Sequence, residues 1–254
     1  MISVALITIV VDMLIIKWLL NKKTGDKFSR MGGAKIIFIG IFITLINLLF
    51  GVFIDKDIGT VVVNPVIDGF VLALFGAGLT EELFKYVAFR WAIRNNREVR
   101  SWLDVILVAA LVAMGFDLFE NFIYAAFGNF STVIRAFFPM HFLFGAIMGY
   151  YYGKAKLTGR FKYHIMSIGI PVMIHTVFDM WLIGLKNIMG DEDTYANLTD
   201  EEIMSLPYAE YLEPMAVAAI VTIVICFVLL VLSFKKIARW SKNGEMQDAI
   251  AGQE

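Results

Sequence analysis

Cysteine is nearly absent from this 254-residue chain. Cys226 stands alone, which excludes an internal disulfide framework and a cysteine metal cage. Charge is scarce as well: 18% of residues are Asp, Glu, Lys or Arg, where a soluble domain carries about a quarter. The net charge of −1 leaves no electrostatic footprint for nucleic acid. The H-E-x-x-H pair of a zinc protease helix is missing, and no serine stands in a nucleophile setting. Tandem repeats and low-complexity tracts are missing too. Met1 to Leu20 is apolar but lacks a basic start and a small-residue cleavage site, so it is expected to be retained as a span.

What fills the chain instead is apolar side chain, 59% of residues, with a mean hydropathy of +0.73. This composition predicts an all-α, polytopic transmembrane helical bundle. Each crossing needs about 20 residues. About seven runs meet that length, near 2–20, 34–54, 65–91, 103–127, 131–154, 164–187 and 213–235. Basic residues cluster after the odd-numbered spans: Lys22, Lys23, Lys27, Arg30 and Lys35; Arg90, Arg94, Arg97 and Arg100; Lys154, Lys156, Arg160 and Lys162; Lys235, Lys236, Arg239 and Lys242. The alternate connections carry Lys56, Arg135 and Lys186 alone. The positive-inside rule then puts the N-terminus outside and the C-terminus in the cytoplasm. A single membrane domain is expected over 1–240, with its motif-bearing core at about 65–187, an acidic extracytoplasmic loop at 188–212 and a polar cytoplasmic tail at 241–254. The loop bears seven acids (Asp191, Glu192, Asp193, Asp200, Glu201, Glu202 and Glu210). Within it Thr199 is placed as the N-cap of a short helix, with Glu202 at the capping-box position.

Charges inside apolar runs carry the functional signal. An acid at mid-bilayer costs roughly a few kcal/mol or more, so it marks a functional site by default. The third predicted span holds Glu81, Glu82 and Lys85; the fourth holds Asp117, Glu120 and Asn121; the fifth holds His141; the sixth holds His175 and Asp179. Helical spacing puts Glu81 with Lys85 and His175 with Asp179 on shared faces. Glu82 shares its face with Gly78. His141 aligns with Gly145, Gly149 and Gly153, a small-residue stripe that lets another helix come close. Asp12 on the first span is read as a polar-lining residue. Asp68 and His164 are read as interfacial.

Two hydrolytic schemes fit this set, and the residues alone do not choose between them. In one, His141 and His175 with one or two carboxylates bind a divalent metal, zinc being the first expectation, with a position left open for water. In the other, no metal takes part: Glu81 or Glu82 activates water while His175 and its partner steady the oxyanion.

The motifs E-E-x-x-K at Glu81, Glu82 and Lys85, F-x-x-x-E-N at Phe116, Glu120 and Asn121, a histidine at His141, and H-x-x-x-D at His175 and Asp179 follow in order on consecutive spans. Together they resemble the PrsW family of intramembrane proteases, over roughly residues 70–182. More distantly they resemble the CAAX-protease and bacteriocin-processing superfamily, where an arginine lies one position later than Lys85 and where Glu120 and Asp179 replace a histidine and an asparagine. The resemblance implies a multi-pass protease in the cell membrane of a bacterium or archaeon. It implies a single-span membrane protein as substrate, such as an anti-sigma factor cleaved on its extracytoplasmic side. It implies catalytic roles for Glu81, Glu82 and His175, and metal ligation or orientation by His141, His175, Glu120 and Asp179. Lys85, Phe116, Asp117 and Asn121 support the site. Metal dependence and glutamate-type chemistry both remain compatible with that kinship.

Two other classes are weighed beside an intramembrane endopeptidase. An ion- or proton-coupled transporter would use the same carboxylates and histidines as a relay, but it predicts internal repeats, and the two halves show no self-similarity. A non-catalytic scaffold recruiting partners through the acidic loop leaves the buried charges unexplained. Nucleic acid is excluded as a partner and the lipid bilayer is expected as one. Oligomeric state is not legible.

Overall fold

A backbone surrounded by hydrocarbon can satisfy its N–H and C=O groups only within its own segment, so apolar runs of this length become helices. The computed structural model describes residues 2–23, 25, 27–58, 64–94, 96–127, 138–190 and 197–246. In chain order its elements are α1 (Ile2–Leu20), α2 (Arg30–Ile58), α3 (Pro65–Leu72), a π-helical turn (Ala73–Gly78), α4 (Leu79–Arg94), α5 (Trp102–Phe127), α6 (Met140–Thr158), α7 (Phe161–Met189), a short α8 (Asp200–Met204), a 3-10 turn (Ala209–Tyr211) and α9 (Leu212–Asn243). No strand occurs among the described residues. The all-α expectation holds.

Among the described residues, four segments are long and apolar enough to cross a membrane: Arg30–Gly51, Trp102–Ala126, Phe161–Met189 and Ala209–Asn243. The predicted third span is continuous but compound, built from α3, the π turn and α4. The predicted fifth span begins later than expected, at Met140; its first part, 131–137, lies outside the described residues, as do Arg135, Asp191, Glu192, Asp193 and the tail from 247. Asn64 caps α3, its side-chain oxygen accepting from the Val66 and Ile67 amides at 2.9 and 3.3 Å. Pro65 follows at the first helical position, where its missing N–H costs nothing. The predicted capping box is present on α8: Glu202 N donates to Thr199 Oγ1 at 3.3 Å and Thr199 N donates to Glu202 Oε2 at 2.8 Å.

α5 is the axis of the bundle. Its apolar window is 83% buried, against 22–33% for the other three membrane-length segments, whose outer faces are free to meet lipid. α1, α2, α4 and α6 pack around it. The predicted glycine stripe is the α6 side of that packing. A Cβ on Gly145 would lie 2.6 Å from the Ala113 Cβ, and one on Gly149 2.7 Å from the Ile106 Cα, so these positions let α6 seat directly on α5. α7 closes the other side, against α3, the π turn, α6 and α9.

Contacts between connections show which ends lie together. Lys23 pairs with Asp104 at 3.1 Å, Ser29 N donates to Glu98 at 3.0 Å, and Leu103 N donates to the Met246 carbonyl at 2.9 Å. The Trp102 indole donates to the Tyr150 carbonyl at 2.9 Å, which ties the end of α6 to the same group. At the other end Asn64 donates to the Tyr211 hydroxyl at 3.4 Å.

A candidate hydrolytic centre inside the bundle

The π turn delivers α4 with Glu81 and Glu82 in its first turn and Lys85 in its second. Gly78, the last residue of that turn, lies against α7: a Cβ there would meet Thr176 Oγ1 at 2.4 Å and the Val172 carbonyl at 3.1 Å. The absence of a side chain at Gly78 thus presses Glu82, one turn on, beneath His175.

Lys85 is the hub. Its ammonium donates to Glu82 Oε1 at 2.8 Å and to Glu81 Oε2 at 3.1 Å. It also approaches His141 Nδ1 at 2.6 Å. The Phe116 ring stands 4.1 Å from the same nitrogen, a cation–π contact that accounts for the aromatic residue in the F-x-x-x-E-N motif. Lys85 is 1% exposed and Glu82 is fully buried, so this charge group is shielded from solvent.

The two histidines serve different carboxylates. His141 Nε2 lies 2.8 Å from Glu120 Oε2, 3.9 Å from Asp117 Oδ1 and 4.0 Å from Glu81 Oε2. His175 Nδ1 meets Glu82 Oε1 at 3.0 Å, while its Nε2 meets Asp179 Oδ2 at 3.1 Å. The rings lie 5.5 Å apart, and His175 stacks on Phe144 at 4.7 Å. Asn121 donates to Asp117 Oδ1 at 3.2 Å and to Asp12 Oδ2 of α1 at 2.7 Å.

The nine charged and polar residues read from the sequence as the functional set on the third to sixth spans, together with Phe116, therefore meet in one connected cluster. The structure divides them, however. One donor atom each from Glu81, Glu120 and His141 lies within 4.8 Å of the others, and all three residues are buried. His175 and Asp179, grouped in the sequence with His141 as candidate metal ligands, form a second arm with Glu82. Glu81, read from the sequence as a base, sits among the donors. Helical spacing assigns each side chain to a face, but it does not tell which histidine reaches which acid. The link to Asp12 was signalled only by an acid within the first apolar run.

The donor set suits a divalent cation. Carboxylate oxygens and an imidazole nitrogen are both ligand types that zinc takes, at roughly 2.0–2.2 Å. Five buried carboxylates (Asp12, Glu81, Glu82, Asp117 and Glu120) belong to the cluster, and Lys85, paired with Glu81 and Glu82, is the ammonium that faces them among the described residues. That excess of negative charge favours a cation at low dielectric. For His141 Nε2 to ligate, the ring proton has to sit on Nδ1, and Lys85 then rests on Glu81 and Glu82 alone. Glu82 Oε2, by contrast, is buried without a protein hydrogen-bond partner among the described residues. It is a carboxylate oxygen with its lone pairs uncommitted, on the residue next to Glu81.

The stretch that carries this cluster is similar to known proteins. Residues 31–197 match the family described as PrsW family intramembrane metalloprotease, a stretch that contains every residue of the cluster except Asp12. Among curated proteins, the Protease PrsW of Oceanobacillus iheyensis is 33% identical over 123 residues, 46% of this chain and 57% of that protein. That of Halalkalibacterium halodurans is 31% identical over 125 residues, 47% and 56% of the two chains. That of Bacillus subtilis is 30% identical over 124 residues, 46% and 57%. The aligned stretch thus spans little more than half the length of these relatives. No solved structure matches the chain. With the family match covering well over half of its residues, the chain belongs to the PrsW family of intramembrane metalloproteases.

Proposed function

We propose that this protein is an endopeptidase that hydrolyses a peptide bond of a single-span membrane protein at a site enclosed by its own helices. The observation that carries the reading is the buried donor group of Glu81, Glu120 and His141 next to the uncommitted Glu82 oxygen. Glu81, Glu120 and His141 would hold a divalent ion, zinc by donor chemistry. Such an ion, when bound, lowers the pKa of a water and polarises the scissile carbonyl. Glu82 Oε2 takes the proton of the attacking water. His175, hydrogen-bonded to Glu82 on one nitrogen and Asp179 on the other, is placed to pass a proton to the departing amine. Asp179 is the open end of this arm, its side chain 25% exposed. Lys85 holds the two glutamates apart and compensates their charge.

The protein on this reading crosses the cell membrane of a bacterium or archaeon seven times, through α1, α2, the α3–α4 unit, α5, α6, α7 and α9. The N-terminus lies outside. The basic connections supply the orientation by charge, and the ties from Lys23 to Asp104 and from Leu103 to Met246 are consistent with it. An anti-sigma factor is one substrate of the proposed kind. The acidic stretch that includes α8 lies on the extracytoplasmic side.

Metal content and cleavage of a single-span reporter, measured on the same detergent-purified protein, test the reading. Wild type is expected to carry about one zinc, and His141→Ala and Glu120→Ala to lose both zinc and cleavage. His175→Ala is expected to keep its zinc and lose cleavage by about 100-fold or more. Cleavage surviving in His141→Ala, or cation-driven uptake into liposomes by the wild type, would overturn it.

A further inference from the structure

α1 lies outside the matched stretch of 31–197, yet it carries a carboxylate into the centre. Its inward face is Thr8, Asp12, Ile15, Ile16 and Leu19, all buried, and it packs against α5. Asp12 is 1% exposed. A carboxylate at that depth costs several kcal/mol unless something holds it, so its placement calls for a role.

We infer that Asp12 is a positioning residue for the hydrolytic centre, acting through Asn121 and Asp117 on His141; the inference rests on the reading of that centre given above. The path runs through single atoms. Asn121 Nδ2 donates to Asp12 Oδ2 at 2.7 Å and to Asp117 Oδ1 at 3.2 Å, and the same Asp117 Oδ1 lies 3.9 Å from His141 Nε2. Asn121 is fully buried. A primary amide has two N–H hydrogens on its nitrogen, and here each faces a carboxylate from a different helix. That pairing fixes which end of the amide points at Asp117. Without Asp12 the Asn121 side chain loses its anchor on α1, and Asp117, which accepts from the same amide nitrogen and lies beside His141 Nε2, would shift with it. Partners of this outer kind orient ligands, and their loss costs roughly 10–100-fold in metal affinity or activity. α1 thereby acts as a strap that completes the site from outside the segment matched by the family.

The chain has three histidines, His141, His164 and His175, so its imidazole-nitrogen NMR spectrum is simple to assign by single substitutions. In metal-free protein, Asp12→Ala is expected to move the His141 resonances and leave those of His164 and His175 in place. Titrated with zinc, it is expected to bind about 10–100-fold more weakly, and kcat on the membrane reporter falls by a similar factor with KM unchanged. Asp12→Asn keeps an acceptor of roughly half the strength and is expected to fall between wild type and Asp12→Ala in all three readouts. It also decides the matter if Asp12→Ala does not fold. His141 resonances and zinc affinity that coincide with wild type in the folded variant overturn the inference. A wild-type protein that binds no zinc would sink the metal reading of the centre, while the resonances would still decide the role of Asp12.

Discussion

Glu81→Gln and Glu82→Gln are both expected to lose activity and to differ completely in metal content. Both sit on the first turn of α4, both are buried, and both touch Lys85 within 3.1 Å. Their other neighbours separate them. Glu81 is one of three donors converging within 4.8 Å, and an amide in its place loses the charge that a divalent ion needs. Glu82 is paired with His175 and keeps one buried oxygen uncommitted, so an amide there spares the donors and removes the proton acceptor. Removing a general base costs roughly 10²–10⁴ in rate. Glu82→Gln should fall in that range with zinc retained, and Glu81→Gln should lose at least as much together with the zinc. Metal analysis beside a cleavage assay checks both. Zinc held by Glu81→Gln and lost by Glu82→Gln would reverse the two assignments.

Lys85→Met is expected to be the most destabilising single substitution in the cluster. The ammonium is the shared partner of Glu81, Glu82 and His141, and Phe116 covers it at 4.1 Å. Methionine keeps much of the volume and deletes the charge. Removing one partner of a buried ion pair costs about 3–5 kcal/mol, because the carboxylates it leaves behind remain out of water. The loss should appear as a large fall in thermal unfolding temperature in detergent. The double variant Lys85→Met/Glu82→Gln should recover part of it, since one stranded charge has gone. Equal stability of Lys85→Met and wild type would mean that some other cation balances these acids.

The helices were legible because lipid-length apolar runs leave the backbone few options, and the cluster was legible because charges do not belong in such runs. The glycine stripe of α6 was legible for a similar reason: small residues at four-residue spacing have value only where another helix lies close, and α5 does. The partition of the two histidines was not legible. Whether His141 reaches Glu120 or Asp179 depends on how each helix is rotated about its axis, and periodicity within one helix contains no such information. The two acids of α4 were not separable either. They are adjacent in sequence, and only the positions of α5 and α6 on one side and α7 on the other bring Glu81 beside Glu120 and His141 and Glu82 beside His175. Asp12 was visible as an anomaly, but its partner Asn121 lies 109 positions away.

The π turn at Ala73–Gly78 bears on how this span can change. A π turn amounts to one residue more than an α-helix would use, and one residue rotates everything beyond it by about 100°. Gly69 before the turn meets α7 at Met180 and Gly184, and Gly78 at its end meets the same helix at Thr176 and Val172. Both halves of the span can face α7 because the turn resets their phase. Aim and length are therefore uncoupled here. Straightening the turn into regular α-helix with the same number of residues would rotate α4 by about 100° and swing both glutamates out of the cluster. The irregularity is the part of this helix that a stability-minded redesign would remove first, and the part that catalysis can least spare.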